Sequence, residues 1–197
     1  AGDKVAMVLG GSGDNLAYAL SRRGEQVGAS VFRLPPFILN DKREEDKEKD
    51  SLNLAKLAKG NLNLFYEITP RDQDLILVRE AFRFRIDAMK DRIACEQRLS
   101  KREIGRAFCN ADGFFPEGEI KISSDEERAN DPILRALISE ENKRNTELKK
   151  ALEKLDIYIQ LFETIEGCGP AIASRIISAV IDIRRFSTDA KLKKFFG

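Results

Sequence analysis

Leu161-Phe-Glu-Thr-Ile-Glu-Gly-Cys-Gly-Pro-Ala-Ile-Ala-Ser-Arg-Ile-Ile-Ser-Ala-Val180 reads as helix, tight turn, helix. Leu161, Phe162 and Ile165 are apolar at helical spacing, and Gly167-Cys168-Gly169-Pro170 interrupts them. Ile172, Ala173, Ile176, Ile177 and Val180 then resume the pattern on one helical face. The two glycines supply backbone freedom that a Cβ-bearing residue lacks, and Pro170 suits the first turn of the second helix.

This hairpin resembles the helix–hairpin–helix motif, in which Gly-apolar-Gly is followed four residues later by a small residue, here Ala173. Such a turn leaves N–H groups at a helix N-terminus facing outward, where a nucleic-acid phosphate can be held. An ordinary αα-hairpin has a similar pattern over so few residues. The combined match of glycines, small residue and apolar positions favours the phosphate-binding reading. The candidate contacts are Gly167, Cys168, Gly169, Ala171 and Arg175, then Arg184, Arg185, Lys191, Lys193 and Lys194. From Ile165 to Gly197 these six basic side chains face only Glu166, Asp182 and Asp189, a local excess suited to phosphate.

The whole chain announces no such partner. Its formal net charge is +1 over 197 residues, 34% of them charged and 42% hydrophobic, the composition of a soluble, helix-rich protein. There is no histidine, which excludes Ser-His-Asp and Cys-His catalysis and every His-containing metal site. Cys95, Cys109 and Cys168 are too scattered for zinc, and their odd number argues against a disulfide framework. A reducing, cytoplasmic setting is expected. No apolar run approaches a membrane span, so no membrane partner is expected. The lack of an initiator Met reads as a fragment or a processed piece.

Val5 to Leu9 is a short apolar strand ended by Gly10-Gly11-Ser12-Gly13. Asp14 is read as the N-cap of a helix from Asn15 to about Arg23, closed by Gly24, and Val27–Leu34 as a second strand. Strand–helix–strand at this length is a βαβ unit with parallel strands. Gly11-x-Gly13 lacks the third glycine of a dinucleotide fingerprint, and no Lys-Ser/Thr follows it. A plain βα turn explains it better than a nucleotide site.

Asp41–Asp50 is an unbroken charged run whose end is the candidate metal site. Asp46 and Asp50 are one helical turn apart and can share a hard cation, although Lys47 and Lys49 weaken it. Asn61–Pro70 reads as a connector. Gln73 to about Phe108 and Pro132 to Ile159 then carry long amphipathic stripes, the second capped by Asp131 and running on into the hairpin. Two such helices joined by a loop are expected to pair as an antiparallel coiled coil and to self-associate. Ile181–Ile183 extends the hairpin's second helix, and Ser187 caps a short basic helix to Phe196.

Taken together these stretches resemble insertion-sequence transposases of the RuvC-like type, the group that includes the pilin-gene invertases. Asp14–Leu20 with Leu34-Pro35-Pro36 resembles a strand, helix and strand of the family's catalytic domain. Lys49–Leu57 resembles the helix carrying its paired aspartates. Ile165–Pro170, Ile183–Ser187 and Lys194–Gly197 resemble its C-terminal domain. The fold class expected is α/β plus α: a partial RNase H/RuvC-like βαβ unit over 1–70, a long antiparallel coiled-coil arm over 71–160, and a helix–hairpin–helix segment over 161–197.

The resemblance implies transposition or site-specific recombination of a mobile element. It also implies DNA as partner, in several members a structured guide RNA, and four carboxylates holding divalent metal beside a nucleophilic serine. Carried over residue by residue, little of the metal set remains. Val8 stands in the Glu position and Lys47 in the first of the paired Asp positions; Asp50 fits the second, and Asp46 substitutes only by a one-residue shift. The first Asp is expected upstream of Ala1 and the serine beyond Gly197. Two-metal phosphoryl chemistry needs several converging carboxylates. The chain is therefore read as a nucleic-acid binder, catalytically incomplete, taking Mg2+ if active and otherwise no cofactor. The rival reading is a helical dimerisation scaffold whose hairpin is only a turn.

Overall fold

The computed structural model describes residues 2–8, 13–42, 49–109, 113 and 125–197. β1 (Lys4–Val8) and β2 (Ser30–Leu34) pair in parallel, Lys4 opposite Ser30 through Val8 opposite Leu34. α1 (Gly13–Val27) connects them. The βαβ unit expected from the apolar runs is therefore present, and its boundaries shift. α1 opens at Gly13, so Asp14 lies within its first turn, where a carboxylate is favoured by the helix dipole. Gly24 does not close α1. A Cβ there would stand 2.4 Å from the Ala29 carbonyl oxygen, so the glycine serves a close backbone approach. The helix ends at Gly28, φ +71°, with the Ala29 N–H on the Gly24 carbonyl at 2.9 Å, a Schellman closure.

The segment read as a connector holds a third strand. β3 (Tyr66–Glu67) is antiparallel to β2, giving the order β1-β2-β3, with Arg33 opposite Tyr66. Two residues are too few for an alternation to register in sequence.

Side chains alternate across this small sheet. Val5, Met7 and Val31 pack with Ala17, Ile68 and Ile76 on one face. Ala6, Val8, Phe32 and Leu34 pack on the other with Leu39, Leu54 and Phe65, supplied by α2 (Pro36–Lys42), α3 (Asp50–Gly60) and the chain before β3. By this alternation Arg33 falls on the same face as Val31, inside the protein.

The chain divides into two compact units, Ala1–Leu77 with Arg175–Gly197, and Val78–Ser174. The second is helical. α4 (Pro70–Phe108) enters it, and α5 (125–130) precedes α6 (Pro132–Leu152). α4 and α6 run antiparallel: Cys95 and Leu99 pack on Leu134 and Leu137, Arg92 pairs with Glu141, and Arg85 donates to Asn145 at 3.1 Å. Asp131 caps α6, accepting the Leu134 N–H at 2.7 Å as expected. The expected continuation of that helix into the hairpin fails at 153–155, where α6 gives way to α7 (Asp156–Gln160). The break turns Tyr158 inward, with Leu155 and Phe162, and leaves Ile159 exposed.

Candidate nucleic-acid interface

The hairpin turn is built on its glycines. The Cys168 N–H donates to the Ile165 carbonyl at 3.0 Å, and Gly167 has φ +80° at the third position of that turn. A side chain there is strained in this backbone conformation. Gly169 accepts the N–H groups of Ile172 and Ala173, both at 3.0 Å, and Pro170 opens α8 (Pro170–Val180). A Cβ built on either glycine meets nothing within 4 Å, so both turn positions face open space. Ala173 is fully buried. Ala171, Ile172 and Arg175 form the exposed stripe of α8, and Cys168 is half-buried. Ile172 was expected in the apolar core and is 51% exposed.

The basic residues differ in their availability. Arg175, Lys191 and Lys194 are exposed and make no ion pair among the described residues. Lys193 lies 3.5 Å from Asp189, both almost fully exposed, a pairing of little energetic weight. α9 (Asp189–Phe196) carries the three lysines. Its N-cap is Thr188, which accepts the Lys191 N–H at 3.3 Å, in place of the expected Ser187. Gly167, Cys168, Gly169 and Ala171 belong to one compact unit, and the six basic residues to the other. Arg185 sits in the 3-10 turn Ile183–Arg185, and its side chain lies outside what is described.

Arg184 is engaged in a network that sequence reasoning missed. Its guanidinium grips Asp182 through Nε at 2.9 Å and Nη2 at 2.6 Å, and its backbone N–H reaches the same carboxylate at 2.9 Å. Nη2 also lies 3.7 Å from Asp72, and the guanidinium stacks 5.1 Å from the centre of the Tyr66 ring. Tyr66 Oη donates to the Arg184 carbonyl at 3.1 Å. Asp72 in turn accepts from Arg33 at 3.3 Å and from the N–H and hydroxyl of Thr69. Arg33, Asp72 and Asp182 are all buried. Burial pushes the Asp182 carboxyl up, but the hydrogen bonds and charge of Arg184 outweigh it and hold the group below its usual value. Desolvation lowers Arg33, against the neighbouring carboxylates. The one signal in the sequence was Arg33, a charge at a strand position that alternation assigns to the packed face.

Asp50 lies in the first turn of α3 and is half-buried, while Asp46 lies outside the described residues. Val8, in the position where a carboxylate was implied, packs into the Leu34 cluster. Among the described residues no three His, Cys, Asp or Glu side chains converge as metal ligands. The groove lined by Lys4, Ala6, Ser51, Ala55, Ala58 and Lys59, about 280 Å³, is basic and apolar.

Residues 159–197 match the model of the Transposase IS116/IS110/IS902 family. No curated protein matches the chain. The matched stretch contains the glycine turn, α8, the Asp182–Arg184 pair and α9, and over it the chain is similar to that transposase family. No helix among the described residues is long and apolar enough to cross a membrane.

Proposed function

We propose that this chain is a DNA-binding, transposase- or site-specific-recombinase-like protein that holds backbone phosphates at the first turn of α8 and along α9. One observation carries the reading. The family match falls on the stretch whose turn presents two open glycines ahead of a helix N-terminus, followed by exposed cations that make no ion pair among the described residues. The helix dipole favours an anion there, and Arg175 lies one turn further along the exposed face. Contacts of this kind go to phosphate, so the segment binds with little sequence preference.

The test is a duplex titration with Gly167→Val and Gly169→Val. Gly169→Val is expected to stay folded, because nothing packs against that position, while Gly167→Val also strains the turn at φ +80°. Both should lose several-fold in affinity, and Gly169→Val, whose branched side chain keeps phosphate off the backbone, is the cleaner test. Unchanged affinity in a folded variant places the contact elsewhere. A hairpin RNA run in parallel tests the structured-RNA expectation.

The catalytic half of the family's chemistry is not expected of this polypeptide. Val8 and Lys47 stand where the resemblance implies metal-binding carboxylates, and a site without most of its ligands does not hold the ion. Incubation with supercoiled and junction DNA in Mg2+ or Mn2+ should give no nicking or joining. Chelator-sensitive cleavage abolished by Asp50→Asn would restore Asp46 and Asp50 as a working metal pair.

A further inference from the structure

α8 stops where its own sequence does not ask it to. Ile181-Asp-Ile183 continues the apolar spacing of the helix, yet the helix ends at Val180 and Ile181 takes φ +62°. Among the described residues it is the one non-glycine with a positive φ. A β-branched residue is the least suited to that region, because its Cβ crowds the following carbonyl. Strain of this sort persists only where the surroundings over-determine it.

The over-determining group is the next residue. The left-handed step at Ile181 turns Asp182 into the interior, where it is buried and held by the backbone and guanidinium of Arg184, with Arg33 nearby. Arg184 is tied on to Asp72 and Tyr66. All of these groups belong to the same compact unit.

We propose that Ile181 is the strained hinge of a two-state switch and that Asp182–Arg184 is its latch. With the latch closed, α8 ends at Val180 and residues 182–184 dock against Tyr66 and Asp72, at the sheet and the start of α4. With it open, Ile181 relaxes into the right-handed region, α8 runs on through Ile183, and the docking of Asp182 and Arg184 is lost. The local sequence preference and the buried ion pairs thus favour different structures, the arrangement from which a bistable element is made. A helix that adds a turn carries the downstream chain along and around its axis. The position of α9 and its lysines is then set by the latch, independently of whether they bind DNA.

Hydrogen exchange on the full chain tests this with two variants. Ile181→Gly removes the strain of the closed state and penalises the open helix. It should slow exchange of the 184–186 amides by roughly tenfold. Asp182→Asn removes the charge that Arg184 grips, and should act oppositely at two neighbouring amides: Ile183 gains protection as the helix extends, while Phe186, which donates to the Ile183 carbonyl in the closed turn, loses it. A merely structural latch gives a different pattern, loss of protection across 177–196 as one stretch, and that result overturns the proposal. So does Ile181→Gly exchange equal to or faster than the parent's, which remains decisive if Asp182→Asn fails to fold.

Discussion

Asp182 is the residue whose charge state the C-terminal segment depends on. Its folded carboxyl is held low despite burial because Arg184 donates to it from side chain and backbone. A group with a depressed folded value contributes stability that is complete above the ordinary carboxylate range and is lost as pH falls through the folded value. Asp182→Asn lacks that titration. The difference in urea midpoint between parent and Asp182→Asn should therefore be widest near neutral pH and narrow between about pH 5 and pH 2. A gap that stays constant over that range would show that the carboxylate's charge does not hold the segment. Near neutrality the variant should lose about 1–3 kcal/mol, the range for hydrogen bonds to a charged group, because Asp182 is buried but the Arg184 side chain is 42% exposed and stays partly solvated. None of this was legible from the sequence, where Asp182 was one acidic residue in a count and Arg184 one basic one. Long-range pairing of residues 33, 72, 182 and 184 leaves no periodic trace along the chain.

At the scale of elements the sequence reads well where a cause is local and poorly where it is tertiary. Asp131 before Pro132 is a local cause: the side chain accepts the Leu134 N–H, and the helix begins where the residue types say it should. Asp131→Ala should cost about 1 kcal/mol of stability while Asp131→Ser costs less, measured by thermal unfolding of the full chain. Equal losses would mean that the cap hydrogen bond contributes nothing. The βαβ unit and the two long helices were legible for the same reason, since apolar spacing repeats over many residues. The end of α1 was not. Gly24 reads as a stop, but its role is to admit the Ala29 carbonyl, a contact made only once the chain has turned at Gly28. The ends of α6 and α8 were missed because apolar spacing continues through both breaks. In one case Leu155 and Tyr158 pack inward after the kink, and in the other Asp182 is drawn inside. The arm's pairing carries a further expectation, that it self-associates. Sedimentation of the full chain tests it, with a monomer at high concentration as the contrary result.

For the whole molecule, a net charge of +1 means that no long-range field brings DNA to this chain. Whatever binding occurs is made by a few local cations, and three of the candidates are exposed and unpaired among the described residues: Arg175, Lys191 and Lys194. Arg184 is held by Asp182 and Asp72, so it adds little while those contacts stand. The candidate interface was legible as residue types, but its division between open and engaged cations required the fold. Salt dependence counts the open ones directly, because each neutralised phosphate releases condensed counterion. The decisive measurement is duplex-DNA affinity as a function of salt concentration for the parent and for Lys191→Ala/Lys194→Ala. The parent should give a log–log slope of about −3, and the double variant one shallower by about 2. Absence of binding at low salt, or a slope that the two lysines do not change, would contradict the DNA-binding account.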